Sequence, residues 1–205
     1  MWCRSRSSAR ERRVLLRTAA AVALTMAASG VLARVAPAEP DGLGPVLLPG
    51  AVAVGRGTMR FLGFAVYHAT LWAAPGWQPQ QLGQAPLVLE LHDLRSFRGR
   101  DIAQRSLEEM RRAGPLEPAD EGRWLAAMQR LFPDVAEGDR IAGLWEPAQG
   151  ARFVLARAGA APQPLGVLPE PRFAERFFGI WLAPTTSQPA LRAALLGLCN
   201  PTLAR

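Results

Sequence analysis

The side chains best suited to chemistry in this chain are few and scattered. Its two histidines, His68 and His92, both fall on strand-like segments, with no Cys-x-x-Cys, His-x-x-x-His or related spacing to gather metal ligands. Neither a metal nor a cofactor is expected, and a single histidine on a strand reads first as a hydrogen-bonded or exposed side chain. The cysteines are Cys3 and Cys199. If the first segment is removed, Cys199 has no partner, so packing alone must hold the fold. No His/Asp pattern surrounds Cys199, and it reads as a structural or incidental thiol. A Gly-x-Ser-x-Gly elbow is absent. Gly55-Arg56-Gly57 has the first two glycines of a dinucleotide loop but leads into a strand, so it reads as a turn. Asp134 and Asp139 lie in a polar turn, where solvation is the default role.

A different kind of site is open to this sequence. A cleft between a sheet and its helices is mostly apolar, with a few polar groups that orient a ligand. Arg60, Tyr67 and Arg105 are the polar residues expected to face such a cleft. A guanidinium in apolar surroundings binds a carboxylate or phenolate through two parallel hydrogen bonds, and a tyrosine hydroxyl adds a third. The competing reading is structural: Tyr67 as core packing, Arg105 paired with Asp101 one helical turn away.

The elements that must position these residues follow from periodicity. Ala51 to Trp72 is rich in β-branched and aromatic residues, with Gly63 marking a turn between two strands. Leu87, Leu89 and Leu91 alternate with Val88, Glu90 and His92, which predicts a strand with one buried face. Asp101 to Arg112 reads as a helix carrying the pairs Asp101–Arg105 and Glu108–Arg112. A second helix runs from about Ala119 to Phe132, where Trp124, Leu125, Met128, Leu131 and Phe132 form an apolar stripe and Pro133 stops it. Arg140 to Glu146 and Arg152 to Arg157 read as strands joined by a turn at Gln149-Gly150. The Pro-rich stretch from Pro162 to Pro171 leads into a helix with Phe173, Phe177 and Trp181 at i, i+4 and i+8. A last helix starts near Ser187 and Pro189 and ends at Gly197. Strands joined by short turns pair antiparallel, so the expected architecture is α+β: an antiparallel sheet with helices packed on one face.

Charge is unevenly placed. The net charge of +7 comes almost wholly from residues 1–38, which hold seven arginines and one glutamate; the remaining 167 residues hold 17 arginines against 16 acids. The body lacks the clustered positive charge of a nucleic-acid binder. Arg4 to Arg17 form a positive head, Thr18 to Ala33 is uncharged and alanine-rich, and Ala36-Pro37-Ala38 has the form of a cleavage site. This is the layout of a signal peptide. Arg12-Arg13-Val14-Leu15-Leu16-Arg17 resembles a twin-arginine signal, and an ordinary Sec signal is the other reading. The apolar run is shorter than the ~20 residues that span a bilayer, so no stable membrane span is expected once it is removed. The expected division is 1–38 signal peptide, 39–50 linker and 51–205 one domain, in a periplasmic or secreted bacterial protein of open oligomeric state.

Several motifs occur together in order: Gly63-Phe64-Ala65-Val66-Tyr67, Phe97-Arg98-Gly99-Arg100-Asp101 leading into Ser106-Leu107-Glu108-Glu109-Met110, Phe132-Pro133-Asp134-Val135, and Ile180-Trp181-Leu182 with Leu195-Leu196-Gly197. Over residues 51–197 the chain resembles the bacterial chalcone isomerase-like family. The resemblance implies an open-faced sandwich with a pocket. In the plant enzymes of that family a phenolate adds to an enone, helped by an arginine, a threonine, a tyrosine, a lysine and an asparagine. Here those positions fall at Arg56 or Arg60, Leu62, Ile102, Arg105 and Glu109, so most have changed type. Taken with the signal segment and the expected apolar cleft, the changed positions point to an exported, non-catalytic binder of a small apolar or amphipathic molecule such as a fatty acid. An isomerase or lyase on another substrate, and a structural or partner-binding protein with no open pocket, are the alternatives.

Overall fold

The computed structural model describes residues 42–198. The N-terminal arginine-rich segment and Cys199 lie outside the described residues.

Six strands form one antiparallel sheet in the sequential order β1-β2-β3-β4-β5-β6. β1 (Val52–Phe61) and β2 (Phe64–Ala73) make a hairpin. Its two loop residues, Leu62 and Gly63, both have positive φ, 48° and 82°. That conformation matches the right-handed twist of the flanking strands. β3 (Leu87–Asp93) follows and pairs with β2 with Tyr67 directly opposite Asp93. The chain then leaves the sheet for α2 (Gly99–Arg112) and α3 (Pro118–Leu131). It returns as β4 (Arg140–Glu146), β5 (Gly150–Ala156) and β6 (Gln163–Leu168), and ends in α4 (Pro171–Leu182) and α5 (Pro189–Leu195).

Period-two alternation assigns the faces. Leu71, Leu89, Gly143, Phe153 and Gly166 lie in one cross-strand row and face α2 to α5. The core on this side centres on α4, whose Phe173, Phe177, Phe178 and Trp181 are all buried. Phe177 meets Phe153 and Phe178 edge to face at 5.3 and 5.6 Å. Burying each such ring contributes ~2–3 kcal/mol. α5 lies so close to β1 that a Cβ on Gly55 would strike the carbonyl oxygens of Ala194 and Leu195. That approach fixes a glycine there.

Four expectations from sequence are corrected. The strand β6 lies inside the Pro-rich stretch that was expected to lead straight into a helix. Proline cannot donate to a ladder, and Pro164 is tolerated because β6 is an edge strand. The stretch 39–50, expected as a linker, folds onto the second face of the sheet from Gly42 on: α1 (Gly44–Leu47) lies against Trp72, with Leu43 buried beside it. As a result β3 is buried on both faces, including Val88 and Glu90, where one buried face was expected. Finally, α5 starts from Gln188 and not from Ser187; the Thr186 hydroxyl accepts the Gln188 N–H at 3.1 Å.

Candidate ligand cavity

Between the sheet and α2 and α4 lies a cavity of about 470 Å³. Its floor is built by Met59, Tyr67, Leu89, Leu91, Ile141 and Gly143, and its roof by Ile102, Phe177, Ile180 and Trp181. Gly143 keeps the floor low: a Cβ there would come within 2.9 Å of Phe153 and 3.0 Å of Phe178. Phe177 and Trp181 line the hollow without filling it. The walls are dominantly apolar, and the size is that of a small-molecule site.

The wall also carries polar groups, among them Tyr67, Asp93, Arg105 and Glu109, the last three close enough for their charges to act on the Tyr67 phenol. The Trp181 indole N–H donates to the Tyr67 hydroxyl oxygen at 2.8 Å, which ties α4 to β2 and leaves the phenolic proton free to donate. Burial, against the bond from Trp181, pushes the Tyr67 phenol up to about 12, so it stays protonated. Across the β2–β3 ladder, Asp93 is 6% exposed. Burial first, and the charge of Asp139 second, raise its carboxyl to about 7. On α2, the buried Glu109 takes an ion pair from Arg105 at 2.5 Å and another from Arg112 at 3.4 Å. Arg105 also reaches Glu108 at 3.6 Å, and its side chain is half exposed at the rim.

Of the three residues expected at the site, the structure brings two together. Tyr67 and Arg105 line the cavity. Arg60 does not: it is exposed at the end of β1, with its guanidinium 3.5 Å from the Gly63 carbonyl. Met59 stands opposite Tyr67 and takes the cavity face, and Arg60, the next residue along β1, takes the other; the register shift here lies on β2, where Val66 is the extra residue. The expected pair Asp101–Arg105 does not form. Arg105 turns to Glu109, which is buried and has the greater need of a cation, and Asp101 pairs with Arg100. Likewise Arg112 bonds Glu109 and not Glu108. Among the positions the family resemblance assigned, Ile102, Arg105 and Glu109 do line the cavity. Leu62 is 81% exposed in the hairpin loop, and Arg56 lines a groove on the opposite face of the sheet. Asp93 was not singled out from sequence. Its signal was an acid at a position continuing the Leu87-Leu89-Leu91 buried alternation.

Among the described residues no group of three His, Cys, Asp or Glu side chains is placed to hold a metal ion, and no helix is long and apolar enough to cross a membrane.

Residues 54–197 match the family model described as chalcone isomerase-like. The chain belongs to that family. It is 29% identical over 147 residues to an uncharacterized protein of Haemophilus influenzae, covering 70% of this chain and 67% of that one. Among solved structures it is similar to a fatty-acid binding protein of Arabidopsis thaliana, with a TM-score of 0.53 and 13% sequence identity, over 72% of this chain and 87% of that one. At that identity the likeness is one of fold.

Proposed function

We propose that this protein holds one small apolar or amphipathic molecule, with a fatty acid as the reference ligand, in the cavity between sheet and helices, and does not convert it. The observation that carries the proposal is the hollow of about 470 Å³ with dominantly apolar walls and a polar cluster of Tyr67, Asp93, Arg105 and Glu109. Such a layout orients an amphiphile, tail on the rings and head on the hydrogen-bonding groups. The fold shared with a fatty-acid binding protein supports it. Against conversion by flavonoid-type cyclisation stands the pairing of Arg105, the one arginine among the described residues that line the cavity, with two glutamates, while Arg56 and Arg60 lie off the cavity. The arginine-rich N-terminal segment supports export, with the folded body from Gly42 on as the ligand-binding domain in the periplasm or outside the cell.

The test is native mass spectrometry of the folded protein with dodecanoate. The wild-type protein is expected to retain one molecule, and Gly143→Leu, whose side chain enters the floor against Phe153 and Phe178, to retain none while costing ~1–3 kcal/mol of stability. A wild-type protein that takes up neither dodecanoate nor any other amphiphile overturns the proposal.

A further inference from the structure

Asp93 stands out within the cavity. It is nearly fully buried and lines the hollow. Yet among the described residues none donates a hydrogen bond to its carboxyl, and the influences on it are burial and the neighbouring Asp139. A carboxyl left without partners in apolar surroundings is costly if ionised. Glu90, three residues earlier on the same strand, faces the other way and has three donors. So burial of an acid on β3 does not by itself imply an unsatisfied one.

We infer that Asp93 is the head-group residue of this cavity, and that it binds the carboxylate of an amphiphile by sharing one proton with it. This rests on the ligand-binding reading above. The groups around the head position are consistent in direction. From β2, Tyr67 offers its free phenolic proton. From α2, Arg105 stands at the rim but is committed to Glu109 and Glu108, and Asp101 adds a further negative charge to the wall. Ahead of β4, Asp139 is tied to Arg157 at 2.6 Å and to the Ala136 and Ala158 N–H groups, so it supplies charge but no proton. Among the described residues lining the cavity, a ligand carboxylate beside these groups meets no uncommitted cation. It meets two O–H donors if Asp93 is protonated, and a repelling anion if Asp93 is not. The protonated Asp93 donates an O–H···O⁻ bond, among the stronger hydrogen bonds available to a carboxylate. Binding therefore takes up one proton from solution whenever Asp93 was ionised beforehand, and the proton comes to rest between the two carboxyl groups.

The experiment is titration calorimetry of the wild-type protein and Asp93→Asn with dodecanoate and with dodecanol, between about pH 6 and about pH 8.5. An ordinary carboxylic acid ionises near ~4, so dodecanoate keeps its charge across this window. With Asp93 titrating at about 7, the wild-type protein is expected to lose dodecanoate affinity ~30-fold from the low to the high end, because only the protonated fraction is competent. Proton uptake, measured in two buffers of different ionisation enthalpy, is expected to rise from near zero to about one per ligand. Asp93→Asn donates through its amide at every pH and is expected to hold dodecanoate within ~3-fold across the window. Dodecanol, whose hydroxyl can donate to an ionised Asp93, is expected to lose no affinity at high pH. Dodecanoate binding with no pH slope and no proton uptake, or a slope that persists in Asp93→Asn, overturns the role of Asp93 while leaving the cavity reading intact. Failure of the wild-type protein to bind either probe at any pH overturns both.

Discussion

The two faces of this sheet are made by the same strands and handle a buried acid in opposite ways. On the face covered by α1, Glu90 accepts from the Leu43 N–H at 2.9 Å and the Trp72 indole N–H at 3.0 Å, with Arg140 at 3.5 Å. Polar residues continue across that face in register, Thr58, His68, His92 and Arg140 on four successive strands. Thr58 and His68 are joined at 2.8 Å. On the face covered by the long helices, Leu89, Leu91 and Ile141 line the cavity floor, and among the described residues none donates to the Asp93 carboxyl. The difference teaches where to look for function. A satisfied buried acid is part of the architecture, whereas one held without partners beside an empty apolar space is available to something that enters it.

The comparison can be broken most sharply at Glu90. Glu90→Ala strands an indole N–H, a backbone N–H and a guanidinium at once. It is expected to cost ~2–4 kcal/mol in urea unfolding at neutral pH. A loss under ~1 kcal/mol would mean that Glu90 is no better embedded than Asp93.

Next in size is the stability of Asp93→Asn as a function of pH. Below about pH 4 the Asp93 carboxyl is protonated in both folded and unfolded chains, so it adds no pH dependence. As pH rises toward about 7, the unfolded chain releases this proton while the folded chain keeps it, so the wild-type protein loses stability over that window, and the loss is complete above it. The full shift corresponds to ~4 kcal/mol as an upper limit. With water entering the cavity to solvate the ionised form, Asp93→Asn is expected to be more stable than the wild-type protein by ~1–3 kcal/mol near pH 8. The two should converge near pH 4. Parallel pH–stability curves would place Asp93 in an ordinary solvated environment.

The smallest effect is expected at Arg60. Because its guanidinium lies outside the cavity on the hairpin end, Arg60→Ala should change both stability and dodecanoate affinity by less than ~0.5 kcal/mol. A larger loss of affinity would show that the hairpin closes over the ligand.

Much of this arrangement was legible beforehand. The strands β1 to β5, the helices α2 to α5 and the antiparallel sheet follow from local pattern, since a 3.6-residue or two-residue repeat is a property of adjacent side chains. Tyr67 and Arg105 could be placed toward an apolar cleft for the same reason. β6 was missed because its prolines and Gly166 carry the local marks of a loop, and its ladder partners on β5 lie several residues away. Arg60 was misplaced because the register of the β1–β2 hairpin, irregular at two places, sets Met59 and not Arg60 opposite Tyr67, and nothing local announces that register. The arginine–acid pairs were misassigned because helical spacing names neighbours at equal distance, and only burial shows that Glu109 has the strongest claim.

By itself the sequence determined the class of the protein: an antiparallel sheet under helices, with no gathered metal ligands and no hydrolase elbow, resembling the chalcone isomerase-like family. Only the tertiary structure decided that a hollow remains beneath Phe177 and Trp181, and that among the described residues none donates to the Asp93 carboxyl that borders it. The physical reason is that periodicity records which face of an element is buried. Whether facing elements fill the space between them, and whether a buried polar group finds a donor, depends on side chains brought together from distant parts of the chain.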